Sequence, residues 1–403
     1  MRICVITAGH LATCPRMVKA AQALKEAGHT VRTVSAQFLD WAAEADRALG
    51  AHTVVDYRRG TKPAKYWSTS LRFHGTRQWV KLTGVHRASL ATLAAATTRA
   101  SRDLVKLALA EPADLYYGGT CGGLSIAALA AWRAGVPYGL DLEDFHEGQS
   151  GDAHWCQWMG RIQREVLPGA AFLTAGSSAI AARYRQEYGL AVHAIHNTFP
   201  LPAQAPDPAP PGAHGLRLYW FSQTIGAGRG LEEVVRATAL AGIRAELHLR
   251  GHGQPAYIAT LRHLASETRA RLTIHVHAPA PPDQMVDLCR PFDAGLSPEQ
   301  GGDLNRQICL GNKALTYILA GLPVVLTETP GQRRLADDLG EGALRYQPGD
   351  IAALAGGLRR WATGRGRLRR AREAAWQAAR QRWHWEHPAE RGALLAAVEG
   401  AGR

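Results

Sequence analysis

The chain has 403 residues, 46% apolar and 20% charged, and its 47 Lys and Arg against 34 Asp and Glu leave a net charge of +13. That apolar share excludes a disordered chain and supports a substantial core, and the length implies two or three domains of ~100–200 residues each. The positive charge admits an anionic partner (nucleotide phosphates, nucleic acid or an acidic membrane surface) without choosing among them.

The six cysteines, Cys4, Cys14, Cys121, Cys156, Cys289 and Cys309, lie far apart with no CxxC pair. This argues against a disulfide framework or zinc knuckle and suits the reduced thiols of a cytoplasm. The longest stretch free of charge and histidine, Leu115–Trp132, is interrupted by Gly118, Gly119, Gly122 and Gly123. It reads as strand, loop and helix rather than a membrane span.

In chain order, Ile3–Ala8 is a first strand, too short and too lightly flanked for a secretion signal. Gly9–Cys14 is a loop, and Pro15 opens a helix through Ala27 with Met17, Ala20, Ala21 and Leu24 on one face. Gly28 caps it, and Thr30–Ser35 is the second strand. Residues 58–82 then interleave Arg58, Arg59, Lys62, Lys65, Arg72, Arg77 and Lys81 with Tyr66, Trp67, Phe73 and Trp79. Such a surface suits anionic lipid headgroups, an acceptor site, a single-stranded nucleic acid or simply a solvated basic face. No RNA-binding module accompanies it, so nucleic acid is not expected as a partner. Asp114–Tyr117, Pro137–Leu142 and Ala171–Ala175 read as strands, with Ile126–Ala134 a helix between the first two.

Six of the 21 prolines fall in Phe199–Gly215, which reads as an extended linker. Beyond it, Arg217–Ser222, Ala245–Arg250, Leu272–His277, Ala294–Ser297 and Pro323–Thr327 read as strands, with helices beginning near Leu231, Tyr257, Asp283 and Asn312. Arg359–Arg382 is helical in pattern. The expected domains are 1–198, a linker at 199–215, 216–365, and a helical segment at 366–403. Strand–helix alternation of this kind gives parallel sheets covered on both faces, with ligands beyond the carboxyl ends of the strands.

The loops exclude some nucleotide chemistries. The first βα loop lacks GxGxxG, and the second strand ends in Ser35-Ala36-Gln37 with no acid to hold a ribose, so a dinucleotide oxidoreductase is disfavoured. There is no GxxxxGK[ST]. In the second half, Ser222–Gly230 is a Gly-rich loop opening a helix, where backbone N–H groups and Arg229 suit a diphosphate. Arg250-Gly251-His252-Gly253 would let a ligand approach the backbone closely. Glu299 follows the strand ending at Ser297, and Gly311-Asn312-Lys313 starts a helix ending at Gly321. A carboxylate there can accept from ligand hydroxyls while Lys313 and the helix start hold phosphate. Glu143-Asp144-Phe145-His146 sits just past a strand end, where close carboxylates raise one another's pKa and a histidine can take or orient a proton. His275-x-His277 puts two imidazoles on one strand face with no third ligand evident, which reads as structural or exposed histidine.

These residues resemble GT-B glycosyltransferases, most closely the retaining family 4 (glycosyltransferase group 1). The resemblance rests on the Gly9-His10 loop, Asp141–His146, Gly228-Arg229-Gly230, Glu299, and Asn312-Lys313 leading into Tyr317-Ile-Leu-Ala-Gly-Leu-Pro-Val-Val. It implies an α/β architecture of two Rossmann-like doubly wound domains facing a cleft, with a C-terminal helix crossing back to the first domain. The first domain would bind the acceptor, a small metabolite, glycan or lipid carrier, and the second a UDP- or GDP-linked sugar. Arg229 and Lys313 would neutralise the departing diphosphate, and Glu143, Asp144 and His146 would serve acceptor binding or sugar positioning. Donor-binding positions implied are Gly9, His10, Gly228, Gly230, Gly251, Glu299, Asn312 and Thr316. The last stands where the family usually carries a second glutamate for the ribose. Asp141-x-Glu143 only faintly resembles a metal-binding DxD, and no metal or further cofactor is expected. The implied activity is retaining, metal-independent glycosyl transfer in glycan or natural-product biosynthesis. The implied location is cytoplasmic, with residues 58–82 the place for any contact with the inner membrane face. A sugar-nucleotide epimerase of the same fold and a catalytically idle nucleotide-sugar-binding subunit are the rival readings.

Overall fold

Strands that are apolar on both faces need helices on both sides, and both halves of this chain meet that requirement. The computed structural model describes residues 1–50, 52–206 and 215–402. They divide into two units, the first comprising Met1–His196 with Pro388–Arg403, the second Asn197–His387. Part of the expected linker, 207–214, lies outside the described residues.

The first unit holds β1 (Arg2–Thr7), β2 (Thr30–Gln37), β3 (Thr53–Asp56), β4 (Leu115–Gly119), β5 (Tyr138–Leu142), β6 (Phe172–Ala175) and β7 (His193–Ala194). They form one parallel sheet in the order β3-β2-β1-β4-β5-β6-β7. The helix after β4 runs Thr120–Ala134, starting well before Ile126. Its Gly122 is there for space, since a Cβ would lie 2.4 Å from the Ala8 Cβ.

The second unit holds β8 (Leu216–Ile225), β9 (Ala245–Gly253), β10 (Leu272–His277), β11 (Ala294–Ser297), β12 (Val324–Thr327) and β13 (Ala343–Tyr346). Their order is β10-β9-β8-β11-β12-β13, again all parallel. One apolar cluster packs Leu218, Trp220, Leu247 and Leu249 beneath the helices Leu231–Ala241 and Pro255–Glu267. Another packs Tyr219, Val324 and Leu326 against the helix Asn312–Leu319 on the opposite face. Both sheets are therefore doubly wound, and each reverses direction at one gap: between β1 and β4, and between β8 and β11. Those gaps are where open parallel sheets take ligands.

Three differences from the sequence reading have local causes. Strands β8 and β9 run on together to Ile225 and Gly253 across an irregularity between Phe221 and Thr224, so Ser222–Ile225 is strand rather than loop. The short β3, β7 and β13 lack a sustained apolar run. The C-terminal segment divides: Arg365–Gln381 belongs to the second unit and Pro388–Arg403 to the first.

That last stretch is tied to the first unit by a buried carboxylate. Glu390, fully buried, accepts from the His196 backbone N–H and pairs with His196 Nδ1 at 2.8 Å. Glu390→Ala leaves a buried amide and imidazole short of an acceptor, and is expected to destabilise the first unit by ~2–4 kcal/mol in denaturant unfolding. A change below ~0.5 kcal/mol would show that the tail is not anchored there.

Candidate functional site

In the second unit the loops after β8 and β11 flank the reversal in strand order. Gly230 has φ +72° and its Cβ would lie 2.1 Å from the Pro298 carbonyl oxygen, so only glycine lets these loops touch. The contact brings the Arg229 loop beside Glu299. Lys313, in the first turn of the helix Asn312–Leu319, places Nζ 2.7 Å from Glu299 Oε1, with both side chains only 13% and 12% exposed. The same ammonium lies 5.7 Å from the centre of the Trp220 ring. Burial alone would push the Glu299 carboxyl up, but Lys313, then Arg229 and Arg306, outweigh it and hold the group below its usual range. The Glu299 carbonyl accepts from Thr327 Oγ1 at 2.6 Å, and Thr327 Oγ1 in turn accepts from Gln332 Nε2 at 2.8 Å. No side chain caps the Asn312–Leu319 helix, and Asn312 itself is exposed. Two cations and an uncapped helix start therefore converge around one carboxylate, an arrangement suited to phosphate oxygens.

The other donor-side positions differ in character. Gly228 has φ +74° with open space where a Cβ would stand. Gly251 lies inside β9, where a Cβ would come 2.2 Å from the Ser222 carbonyl oxygen, so strand packing already requires glycine. Thr316 is buried, and its hydroxyl donates to the Asn312 carbonyl at 2.9 Å.

In the first unit the carboxyl ends of β1, β4, β5 and β6 surround Glu143. The residue that organises this end is Arg16, which the sequence did not single out. Its buried Nε donates to both Asp141 oxygens at 2.8 Å, and Nη1 donates to the Ile195 carbonyl. Its Nη2 is buried without a hydrogen-bond partner. Tyr117 adds hydrogen bonds to Asp141 at 3.2 Å and to Thr174 at 3.1 Å. Burial, and next the charge of Asp144, push the Glu143 carboxyl up to about 7 against the pull of Arg16 and Lys19. Gln149 bridges the two remaining members, with Nε2 donating to Asp144 at 2.6 Å and Oε1 lying 3.0 Å from His146 Nδ1. Burial pushes the His146 imidazole down, so the neutral form prevails, and its Nε2 is buried without a partner. Beside them Thr120, a β-branched residue, sits at φ +64°, a strained conformation of the kind that collects at functional sites.

Gly9 has open space around it. His10 is committed to the protein. Its Nε2 accepts from the Phe38 and Leu39 amides at 2.8 and 2.9 Å, so the proton sits on Nδ1, 2.9 Å from buried Asp46. The ring thus clamps the loop after β1 to the loop after β2. In the basic–aromatic segment, several cations are already engaged: Arg58 with Asp56, Lys65 with Asp103, and Arg77 with Asp152 and the Trp158 ring. Exposed on its helix, Pro63–Thr83, are Trp67, Leu71, Trp79 and Leu82. Among the described residues no helix is long and apolar enough to cross a membrane.

No protein-family model matches the chain, and no curated protein does. Solved structures match it over nearly its whole length. The Anabaena protein HepE, in complex with UDP-glucose, superposes with a TM-score of 0.69 at 15% identity, covering 99% of this chain and 98% of that one. Sucrose-phosphate synthase from Thermosynechococcus elongatus gives 0.65 at 13% identity, covering all of both chains. TarM of S. aureus, in complex with Fondaparinux, alpha-GlcNAc-glycerol and UDP, gives 0.67 at 9% identity over 100% and 99%. The fold expected from the resemblance is thereby confirmed: two Rossmann-like sheets of the GT-B glycosyltransferase type.

The raised Glu143 carboxyl has a pH signature. Below about pH 4.5 it is protonated in both folded and unfolded chains, and from there to about 7 only the unfolded chain ionises it. The folded state therefore loses stability as pH rises through that window, and the loss is complete above it. Glu143→Gln is expected to match the wild type near pH 4.5 and to exceed it above pH 7 by an amount on the order of 3 kcal/mol. Parallel melting curves of the two proteins across the range would refute the raised value.

Proposed function

We propose that the chain transfers a sugar from a nucleoside-diphosphate sugar, UDP- or GDP-linked, to a hydroxyl, amine or thiol acceptor, with retention and without a metal. The observation that carries this reading is the Arg229–Glu299–Lys313 constellation at the strand-order reversal of the second unit, on a fold shared with a protein solved in complex with UDP-glucose. An arriving diphosphate would take the Glu299 carboxylate's place beside Lys313, and Arg229 would add a second cation. Both charges then stabilise negative charge as it builds on the departing diphosphate, the electrostatic task that dominates such a transfer. Glu299, released from Lys313, becomes an acceptor for sugar or ribose hydroxyls.

The first unit would take the acceptor. Glu143, poised near neutrality, and the partnerless Nε2 of His146 are the groups able to receive a proton from an attacking nucleophile. Asp144, joined to His146 through Gln149, holds that imidazole in position. An acceptor on a lipid carrier would suit the exposed Trp67, Leu71, Trp79 and Leu82 with the exposed Lys62, Arg72 and Lys81, which we propose meet an anionic headgroup layer.

Two outcomes are expected. In a thermal-shift panel of UDP, GDP, TDP, ADP and their sugars, one diphosphate at ~100 times its Kd should add ~2.7 kcal/mol of apparent stability, unchanged by EDTA. Arg229→Ala should abolish that shift while leaving the ligand-free melting temperature in place. Silence with every nucleotide would overturn the donor site, and release of free nucleotide with no acceptor modified would favour epimerase chemistry. Separately, the chain should co-sediment with vesicles containing anionic lipid and not with neutral ones, and Trp67→Ser with Leu71→Ser should weaken that binding several-fold. Equal partitioning to both vesicle types would refute the headgroup contact.

A further inference from the structure

In the second unit, the two imidazoles of His275-x-His277 do not stand alone. The parallel register sets His275 opposite His248, Thr273 opposite Glu246 and His277 opposite Arg250. Side chains alternate along a strand, so Glu246, His248, His275 and His277 share one face, while Ala245, Leu247 and Leu249 point into the core. The third ligand that the sequence lacked therefore comes from the neighbouring strand. Strand β10 is the edge of its sheet, and the cluster is only partly buried.

We propose that this face binds a divalent first-row transition-metal cation through Glu246, His248 and His275, at a site distinct from the one built on Arg229 and Lys313. One ligand atom from each of the three residues lies within 4.8 Å of the others. His248 Nε2 and Glu246 Oε2 are 3.1 Å apart, close to the ~3.3 Å edge of a tetrahedron built on ~2.0 Å bonds. On the other side of the ring, His248 Nδ1 lies 3.0 Å from His277 Nε2. A proton donated from Nδ1 to His277 fixes the tautomer that leaves Nε2 free for a metal, the supporting contact usual for ligand histidines. His248 and His275 now stack with ring centres 4.5 Å apart at 12°, so His275 must turn about its Cβ–Cγ bond for its lone pair to meet the same ion. A partly exposed side chain on an edge strand has that freedom.

Two imidazoles and one carboxylate suit zinc and its neighbours rather than magnesium or calcium, and leave a fourth position for water or an outside ligand. Arg250 shares the face, but its Nε donates to the Tyr219 hydroxyl and its Nη1 to the Ala278 carbonyl, each at 2.7 Å. These bonds hold the guanidinium in place, and its charge limits the affinity. Bound metal would staple the edge strand to β9.

The test uses the full chain stripped with chelator, titrated with Zn²⁺ by calorimetry and with Co²⁺ by visible absorption. The expected result is one equivalent bound at micromolar affinity or tighter, with the intense absorption of four-coordinate Co²⁺. Glu246→Gln, His248→Gln and His275→Gln should each weaken binding by at least ~10-fold, and His277→Gln by less. The control is His263→Gln, a histidine 82% exposed on the helix Pro255–Glu267, which should leave binding unchanged. Metal-free melting temperatures verify that each variant is folded. Six-coordinate Co²⁺, no binding at one equivalent, or wild-type affinity retained in His248→Gln or His275→Gln would overturn the proposal.

Discussion

The second unit's site depends on an ion pair largely withdrawn from water. At 2.7 Å and about one-eighth exposed, Lys313 and Glu299 sit where neither charge is well hydrated, so each needs the other. The pairing fixes the loop after β11 against the start of the Asn312–Leu319 helix, while the Thr327 hydroxyl pins the Glu299 carbonyl from behind. Because Arg229 and Arg306 also act on Glu299, the local balance is cationic even with the carboxylate in place. On the proposed reading an anionic ligand would enter a site already organised for negative charge, with the glutamate as its placeholder.

The first unit solves the opposite problem. Its strand ends gather Asp141, Glu143 and Asp144, and one buried cation, Arg16, serves Asp141 through two equal hydrogen bonds. With Arg16 committed there, Glu143 receives only part of its charge, and burial beside Asp144 carries its carboxyl to about 7. A single guanidinium committed to Asp141 is what leaves the buried Glu143 carboxyl to rise toward neutrality. Removing Arg16 would leave Asp141 as an uncompensated buried charge, so the same residue governs both stability and proton affinity at this end of the sheet.

Much of this was legible in the residues. Apolar runs located β1, β2, β4, β5, β6 and the strands from β8 to β12, and the Gly-rich loop and the Glu299–Lys313 segment stood out because charged side chains after buried strands have few structural reasons to be there. What could not be read were partners distant in sequence. Arg16 looks like an ordinary first-turn arginine until Asp141 is brought to it, and His275-x-His277 is two imidazoles until register adds His248 and Glu246. His10 stands in the expected loop, yet two backbone amides occupy its Nε2. Gly251 reads as room for a ligand, while its close packing on the Ser222 carbonyl beside the irregularity in β8 could not be read from the sequence. Local composition reveals which residue types occur where; register and loop closure decide which of them meet.

The first unit is discontinuous, for its stretch from Pro388 follows the whole of the second unit in the chain. During synthesis, residues 1–196 leave the ribosome with the slot beside His196 unfilled, and they wait while nearly two hundred further residues are made. The second unit, contiguous from Asn197 to His387, is the first that can complete itself. Order of emergence and order of completion are therefore reversed, and the buried Glu390 carboxylate is the late-arriving group that closes the earlier-made half.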